Sequence, residues 1–310
     1  MSNTAQLEKL IKEEIDKIRE SCGEINLFIS GGVDSGVLAA LSNPDRLLSV
    51  RLPYGEKYDE FEDVKKVVEH LGLEDRLTVV ELNESEFEDV MKIAVKAIGR
   101  PIPHFNIFPF FVACREAAKM GVKHIVTGDG PDESMCGYTR HLIMRYLYKI
   151  GEKEAFHNYF PTIDKILTHP AVSYAKIVGK PSNKILHLME GKSLVDGMCA
   201  VDMALMRPDM DDMTNGIAKH FGITIHRPYQ DNPEVDNFMF TLGEKDKIYR
   251  DEWGKYLLRK IADKLLPKEI AWRKHKVGGP LVPVNKIMGW EVPEFSKNKY
   301  LQYQEDILNA

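Results

Sequence analysis

The 310-residue chain has only four cysteines, and no two of them form a CxxC pair. Cys22, Cys114, Cys136 and Cys199 are widely separated, which suits reduced thiols and speaks against a zinc site or a disulfide scaffold. No segment approaches the ~20 unbroken apolar residues that a membrane helix needs. The opening MSNTAQLEKLIKEEIDKIRE has no apolar run behind a basic head, so neither a membrane protein nor a secreted one is expected, and the cytoplasm is the default location. Leu7, Leu10, Ile11, Ile15 and Ile18 instead make one stripe of an amphipathic helix. The formal charge of −5 gives no general attraction to nucleic acid. Basic residues gather only late, at Lys264, Lys268, Arg273, Lys274, His275 and Lys276. That cluster reads either as a solvated helix end or as a place for an anion.

With 44% hydrophobic and 29% charged residues the composition is that of a globular protein with a substantial core. INLFIS (25–30), RLLSVRLP (46–53), RLTVVEL (76–82) and KHIVTGD (123–129) read as strands. Helical patterns separate them, among them VDSGVLAAL, YDEFEDVKKVVEHLG and FPFFVACREAAKMG, the last two ending in the glycines expected past a helix terminus. Strands apolar on both faces and alternating with helices imply a doubly wound parallel α/β sheet, with ligands at the carboxyl ends of the strands. Beyond about Gly151 the strand signal fades and the chain reads as mainly helical, cut by prolines at 161, 170, 181, 208, 228 and 233. The expected division is an α/β part over 1–150, a helical part over 151–290 and a tail over 291–310. The stripe Met203, Met206, Met210 and Met213 reads as core filling.

SGGVDSG follows an apolar strand and opens an apolar helix. Its glycines reach conformations closed to other residues, so backbone N–H groups and the helix N-terminus can face an anion. Ser30 and Ser35 add hydroxyls. Asp34 would repel a bare phosphate, and is better explained as a ligand for a magnesium ion that bridges phosphate oxygens. The competing reading is a glycine turn with Asp34 as helix cap. No Gly-Lys-Ser/Thr follows the loop, and it is not a GxGxxG turn, which excludes the Walker and dinucleotide patterns here. A second turn, TGDGPDESMCGY (127–138), places Asp129, Asp132 and Glu133 within five residues, a set that repels itself unless a cation or proton offsets it. Read alone, it is equally an acidic turn in which Asp132 caps a helix.

The SGGxDS string resembles the pyrophosphate loop of the N-type ATP pyrophosphatases, whose fold is the adenine nucleotide α-hydrolase type. The second turn resembles SGEGSDEvfgGY of the asparagine synthetase synthetase domain. LLSVRLP is similar to that family's adenine-receiving strand, FGITIHRPYQD to its GlEaRvPFLD, and KYLLRKIADKLLPKEIAWRKHK to its KxxLReaf…LPeeilWRpK. The resemblance runs in family order over residues 24 to 283.

It implies ATP held by Phe28, Ser30, Gly31, Gly32, Asp34, Ser35, Val50 and Gly128, magnesium on Asp34 and Asp132, and Lys255 as catalytic lysine. Asp129 falls where the family has a glutamate that takes a proton from the nitrogen nucleophile, one methylene shorter here. Tyr138 is expected to pack or hydrogen-bond rather than react. His226 and Arg227 replace arginine and valine of the family pattern, and read either as partners of a substrate carboxylate or as a local turn cap. Residue 2 is Ser2, not the cysteine that starts the family's glutaminase domain, so that domain is expected to be lacking. The implied partners are a small carboxylate substrate and ammonia, an amine or a separate glutaminase subunit as nitrogen source, with homo-oligomerisation left open. The implied reaction is carboxylate adenylation followed by amide formation. The alternatives are an ATP-pyrophosphatase-type enzyme modifying a nucleobase or tRNA, and a non-catalytic nucleotide-binding subunit.

Overall fold

A computed structural model describes residues 1–53, 59–151, 187–274, 284–290 and 297–310. The prolines at 161, 170 and 181, together with His275, Lys276 and the stretch KVGGPLVP, lie outside them. In chain order the helices are α1 (Asn3–Cys22), α2 (Val33–Ser42), α3 (Phe61–Leu71), α4 (Glu84–Ile98), α5 (Ile107–Lys119), α6 (Pro131–Ser134), α7 (Thr139–Lys149) and α8 (Leu194–Val201). After a π-helical turn over Asp202–Met206 come α9 (Arg207–His220), α10 (Pro233–Thr241), α11 (Glu244–Lys247), α12 (Tyr256–Leu265), α13 (Lys268–Ala271), α14 (Val284–Ile287) and α15 (Lys297–Asn309). Among the described residues no helix is long and apolar enough to cross a membrane.

The strands are β1 (Asn26–Phe28), β2 (Arg46–Arg51), β3 (Leu77–Glu81), β4 (His124–Val126) and β5 (Thr224–His226). All neighbours run parallel, in the order β3-β2-β1-β4-β5. This is the doubly wound α/β sheet that the sequence pattern implies, of the adenine nucleotide α-hydrolase type. Beyond Gly151 the described residues are mainly helical, as the sequence pattern implies, with one short strand, β5, that the pattern does not signal. In β5 only Ile225 is a buried apolar residue, between exposed Thr224 and half-buried His226, so it lacks a clear apolar run; it forms because β4 offers it an edge, with His124 opposite Thr224 and Val126 opposite His226.

Two compact units share the chain, each assembled from separated stretches. The sheet unit comprises Ile18–Thr127, Met210–His226 and Val277–Ala310, and the helical unit Met1–Lys17, Gly128–Asp209 and Arg227–Lys276. In the sheet unit, Val64, Val67 and Val68 bury one stripe of α3, which stops at Gly72 in the left-handed conformation, φ 64°. Phe87, Phe108 and Phe111 fill the core, the first two edge-on at 5.1 Å. Each such ring contributes about 2–3 kcal/mol by leaving water. The loop Ser30–Ser35 leaves β1 at its carboxyl end, next to β4, where the strand order reverses and doubly wound sheets bind their ligands.

Candidate active site

In the sheet unit the glycine loop is shaped by close packing. Gly31 sits at φ 68°, and a Cβ there would come within 2.9 Å of the Asp63 Cβ and of the Val64 amide nitrogen at the start of α3. Only glycine allows both the conformation and the approach. Gly32 is the N-cap residue of α2, with φ −84° and ψ 168°, so Asp34 stands in the first turn rather than at the cap. The capping explanation of Asp34 therefore fails. The loop closes on itself, because the Ser30 amide donates to Ser35 Oγ at 3.2 Å and the two hydroxyls lie 3.3 Å apart. The first-turn amides of α2 have no carbonyl one turn back to bond, which leaves a positive helix end at the carboxyl edge of the sheet. Phe28 and Val50, at the ends of β1 and β2, are half-buried and pack against the core, Phe28 edge-on to Phe110 at 5.6 Å.

In the helical unit the acidic turn is braced from several directions. Gly130 (φ 117°) precedes α6, whose first turn holds Asp132 and Glu133, so Asp132 is not the cap residue either. A Cβ at Gly137 would lie 1.9 Å from Asp132 Oδ1, so this glycine makes room for the carboxylate. Arg207 donates to the Gly130 carbonyl at 3.2 Å and to Asp236 at 2.7 Å. Gly128 is half-buried, and the Asp129 side chain is half exposed with Arg227 Nε at 3.7 Å. Arg227 is buried; the Asp231 carboxylate accepts from its amide at 2.7 Å and closes a local turn, while its guanidinium faces Asp129. His226 closes β5 and belongs to the sheet unit.

Lys255 is no surface lysine: it is 3% exposed, and its Nζ lies 2.9 Å from Asp132 Oδ1. Its backbone is in the left-handed region at φ 56°, a conformation that costs a non-glycine residue about 1–2 kcal/mol. Neighbouring contacts hold it there. The Lys255 amide donates to the Met135 carbonyl at 2.8 Å, and a Cβ at Gly254 would lie 1.8 Å from the Cys136 carbonyl oxygen. Arg259 donates to the Gly254 carbonyl at 2.8 Å and to the Ala271 carbonyl at 2.7 Å, while Trp253 and Trp272 meet edge-on at 5.8 Å. Motif residues around the lysine thus fix its backbone. Of the late basic cluster, Lys264 pairs with Glu8 at 3.4 Å and Lys274 with Glu252 at 3.2 Å, as solvated surface pairs do.

Glu133 carries a feature the sequence does not display. Burial, helped by the charge of Asp132, raises its carboxyl pKa to about 7, against the opposing pull of a hydrogen bond from Tyr138 and the charge of Arg207. Tyr138 donates that bond, and burial holds its own phenol well above the ordinary range, so it packs and donates rather than ionising. The Arg140 guanidinium lies 3.8 Å from the centre of the Tyr138 ring. Arg140 also bonds Asp202 at 2.6 Å, and His141 bonds the same oxygen at 2.8 Å. Burial works to raise the Asp202 pKa, but Arg140 and His141 outweigh it and keep the carboxyl below its usual value. His141 is held down by burial.

The family model described as asparagine synthase matches residues 6–305. An NH(3)-dependent NAD(+) synthetase of Streptococcus sanguinis is 29% identical over 203 residues, covering 54% of this chain and 73% of the relative. A glutamine-hydrolysing GMP synthase of Chlamydia caviae is 39% identical over 99 residues, 30% of this chain and 19% of the relative. A Methanocaldococcus jannaschii protein provisionally named a glutamine-hydrolysing asparagine synthetase is 28% identical over 153 residues, 48% of this chain. The chain spans only 27% of that relative's length.

Proposed function

Because this chain belongs to the asparagine synthase family, an ATP-using group, we propose that it is an amide-forming ligase that adenylates a small carboxylate. A carboxylate oxygen bonds to the α-phosphorus of ATP, the bond to the β-phosphate breaks, and pyrophosphate leaves with the electron pair. Ammonia or an amine then bonds to the acyl carbon, AMP departs, and the proton lost by nitrogen passes to a base.

The observation that carries this reading is Lys255, buried, strained and aimed at Asp132. A protein does not hold a lysine in that way for solubility, and a fixed cation in a dry setting stabilises charge growing on a phosphate. Ser30, Gly31, Gly32 and Ser35 would take the departing pyrophosphate, and Phe28, Val50 and Gly128 the rest of the nucleotide. Asp34 and Asp132 are oxygen donors of the kind that magnesium prefers, and the ion would neutralise the polyphosphate. Asp129 is the assigned base of the second step, with Arg227 placed to hold it or a substrate carboxylate.

The relatives carry names for products as different as asparagine, NAD(+) and GMP, so the acceptor is the open variable. A cytoplasmic setting with ammonia supplied free or by a glutaminase subunit completes the proposal. The test is exchange of labelled pyrophosphate into ATP across a panel of carboxylates, aspartate first. Lys255→Ala and Asp34→Ala should each lower exchange by about a hundredfold or more. Normal exchange in either variant removes that residue from the reaction.

A further inference from the structure

Three side chains from distant parts of the sequence converge within the sheet unit. Cys22 ends α1, His124 opens β4 and His226 closes β5. Cys22 Sγ lies 3.4 Å from His226 Nε2, and His124 Nδ1 lies 3.1 Å from the same nitrogen. The three ligand atoms all fall within 4.8 Å of one another, and all three residues are half-buried. Strand geometry produces the meeting. Because Val126 stands opposite His226, His124 is two positions back on the same face of β4, and the two imidazole centres lie 5.3 Å apart.

Hydrogen bonding satisfies this arrangement only in part. His226 Nε2 carries either one proton or one lone pair, so it serves Sγ or Nδ1 well but not both together. A metal ion removes that conflict, since a thiolate and two imidazoles can then direct lone pairs at one point. Tetrahedral zinc, with Zn–N of about 2.0–2.1 Å and Zn–S of about 2.3 Å, sets two nitrogens about 3.4 Å apart and sulfur about 3.6 Å from nitrogen. The 3.1 Å and 3.4 Å separations here fall a few tenths short of those edges, a contraction that small side-chain rotations reverse.

We propose that Cys22, His124 and His226 bind one zinc ion, with water in the fourth position. The ligand set is soft enough to favour zinc over magnesium or calcium, and it includes none of the residues assigned above to ATP. The ion ties the short edge strand β5 and its neighbour β4 to the end of α1. Its role is to hold the sheet edge, and the site stands whether or not the ligase reading does.

The test uses the full chain stripped with a chelator and titrated with zinc against a colorimetric indicator, then with cobalt. One equivalent of zinc should bind and raise the melting temperature, and cobalt should give a thiolate charge-transfer band with the intense visible bands of a tetrahedral site. Cys22→Ser should abolish the charge-transfer band and the thermal shift, and His124→Gln and His226→Gln should each weaken zinc binding at least about tenfold. Serine is a small change at a half-buried position, so Cys22→Ser decides the matter even if a histidine variant fails to fold. Wild-type protein that takes up no stoichiometric zinc overturns the proposal, as does a Cys22→Ser variant with an unchanged cobalt spectrum.

Discussion

In the sheet unit the large fully buried side chains are Phe87, Phe108, Phe111, Ile25, Leu27, Leu38 and Leu47. In the helical unit Lys247, His141 and Asp202 are fully buried as well: Lys247 bonds Asp196 and the Phe240 carbonyl, and Arg140 and His141 both bond the Asp202 carboxylate. The two units therefore differ in the groups they hold at the residues proposed for the site. The sheet unit presents backbone amides at a helix end, shaped by glycine and backed by an apolar core. The helical unit presents whole charges, held in position by other whole charges. An apolar core loses stability in proportion to the atoms removed, whereas a buried charge network fails when one member goes, because the partner is left bare.

The sharpest way to break this comparison is Asp202→Ala, which leaves Arg140 buried beside an uncharged site. It should lower unfolding free energy by about 3–5 kcal/mol, read from urea denaturation. A loss below about 1 kcal/mol would mean that the helical unit does not depend on its buried charges.

Next in size is the effect of Glu133 on pH dependence. Its folded pKa of about 7 lies above the ordinary value of 4.5, so the folded state holds the proton more tightly than the unfolded chain. Stability from this group is complete below the ordinary value and declines as pH rises to the folded value, by up to about 3 kcal/mol. Glu133→Gln should remove that decline between pH 4.5 and 7, as measured by melting temperature across the range. An unchanged pH profile would show the carboxyl to be solvated.

The smallest expected effect belongs to the sheet unit. Gly31→Ala forces an alanine to φ 68° and a methyl against Asp63, for about 1–2 kcal/mol of stability. If the loop takes the pyrophosphate as proposed, the influence on ATP affinity should be larger than on the urea midpoint. Equal effects would make the glycine a packing residue only.

Much of the sheet unit was legible because its signals are local. SGGVDS sits between an apolar strand and an apolar helix, and Gly72 marks the end of α3 in the sequence itself. The strand Thr224–His226 was not legible, because its one buried apolar residue, Ile225, makes no run or period and the strand is created by its neighbour β4. In the helical unit the acidic turn was visible, but the state of Glu133 depends on burial, which no spacing encodes. Lys255 could be assigned only through family resemblance; its burial and strained backbone come from Met135, Cys136 and Arg259. Arg259 stands in plain view as the arginine of KYLLR, yet only the fold shows it gripping the carbonyl of Gly254. Cys22, His124 and His226 carry no spacing signature; only the end of α1 and the register of β4 with β5 bring them together.

The pairing of β4 with β5 also sets a schedule for the ribosome. His124 leaves the exit tunnel long before its strand partner Thr224 has been translated, so β4 waits as an uncovered sheet edge while the intervening chain is made. A nascent chain paused in that interval exposes a strand that can pair with another copy of itself.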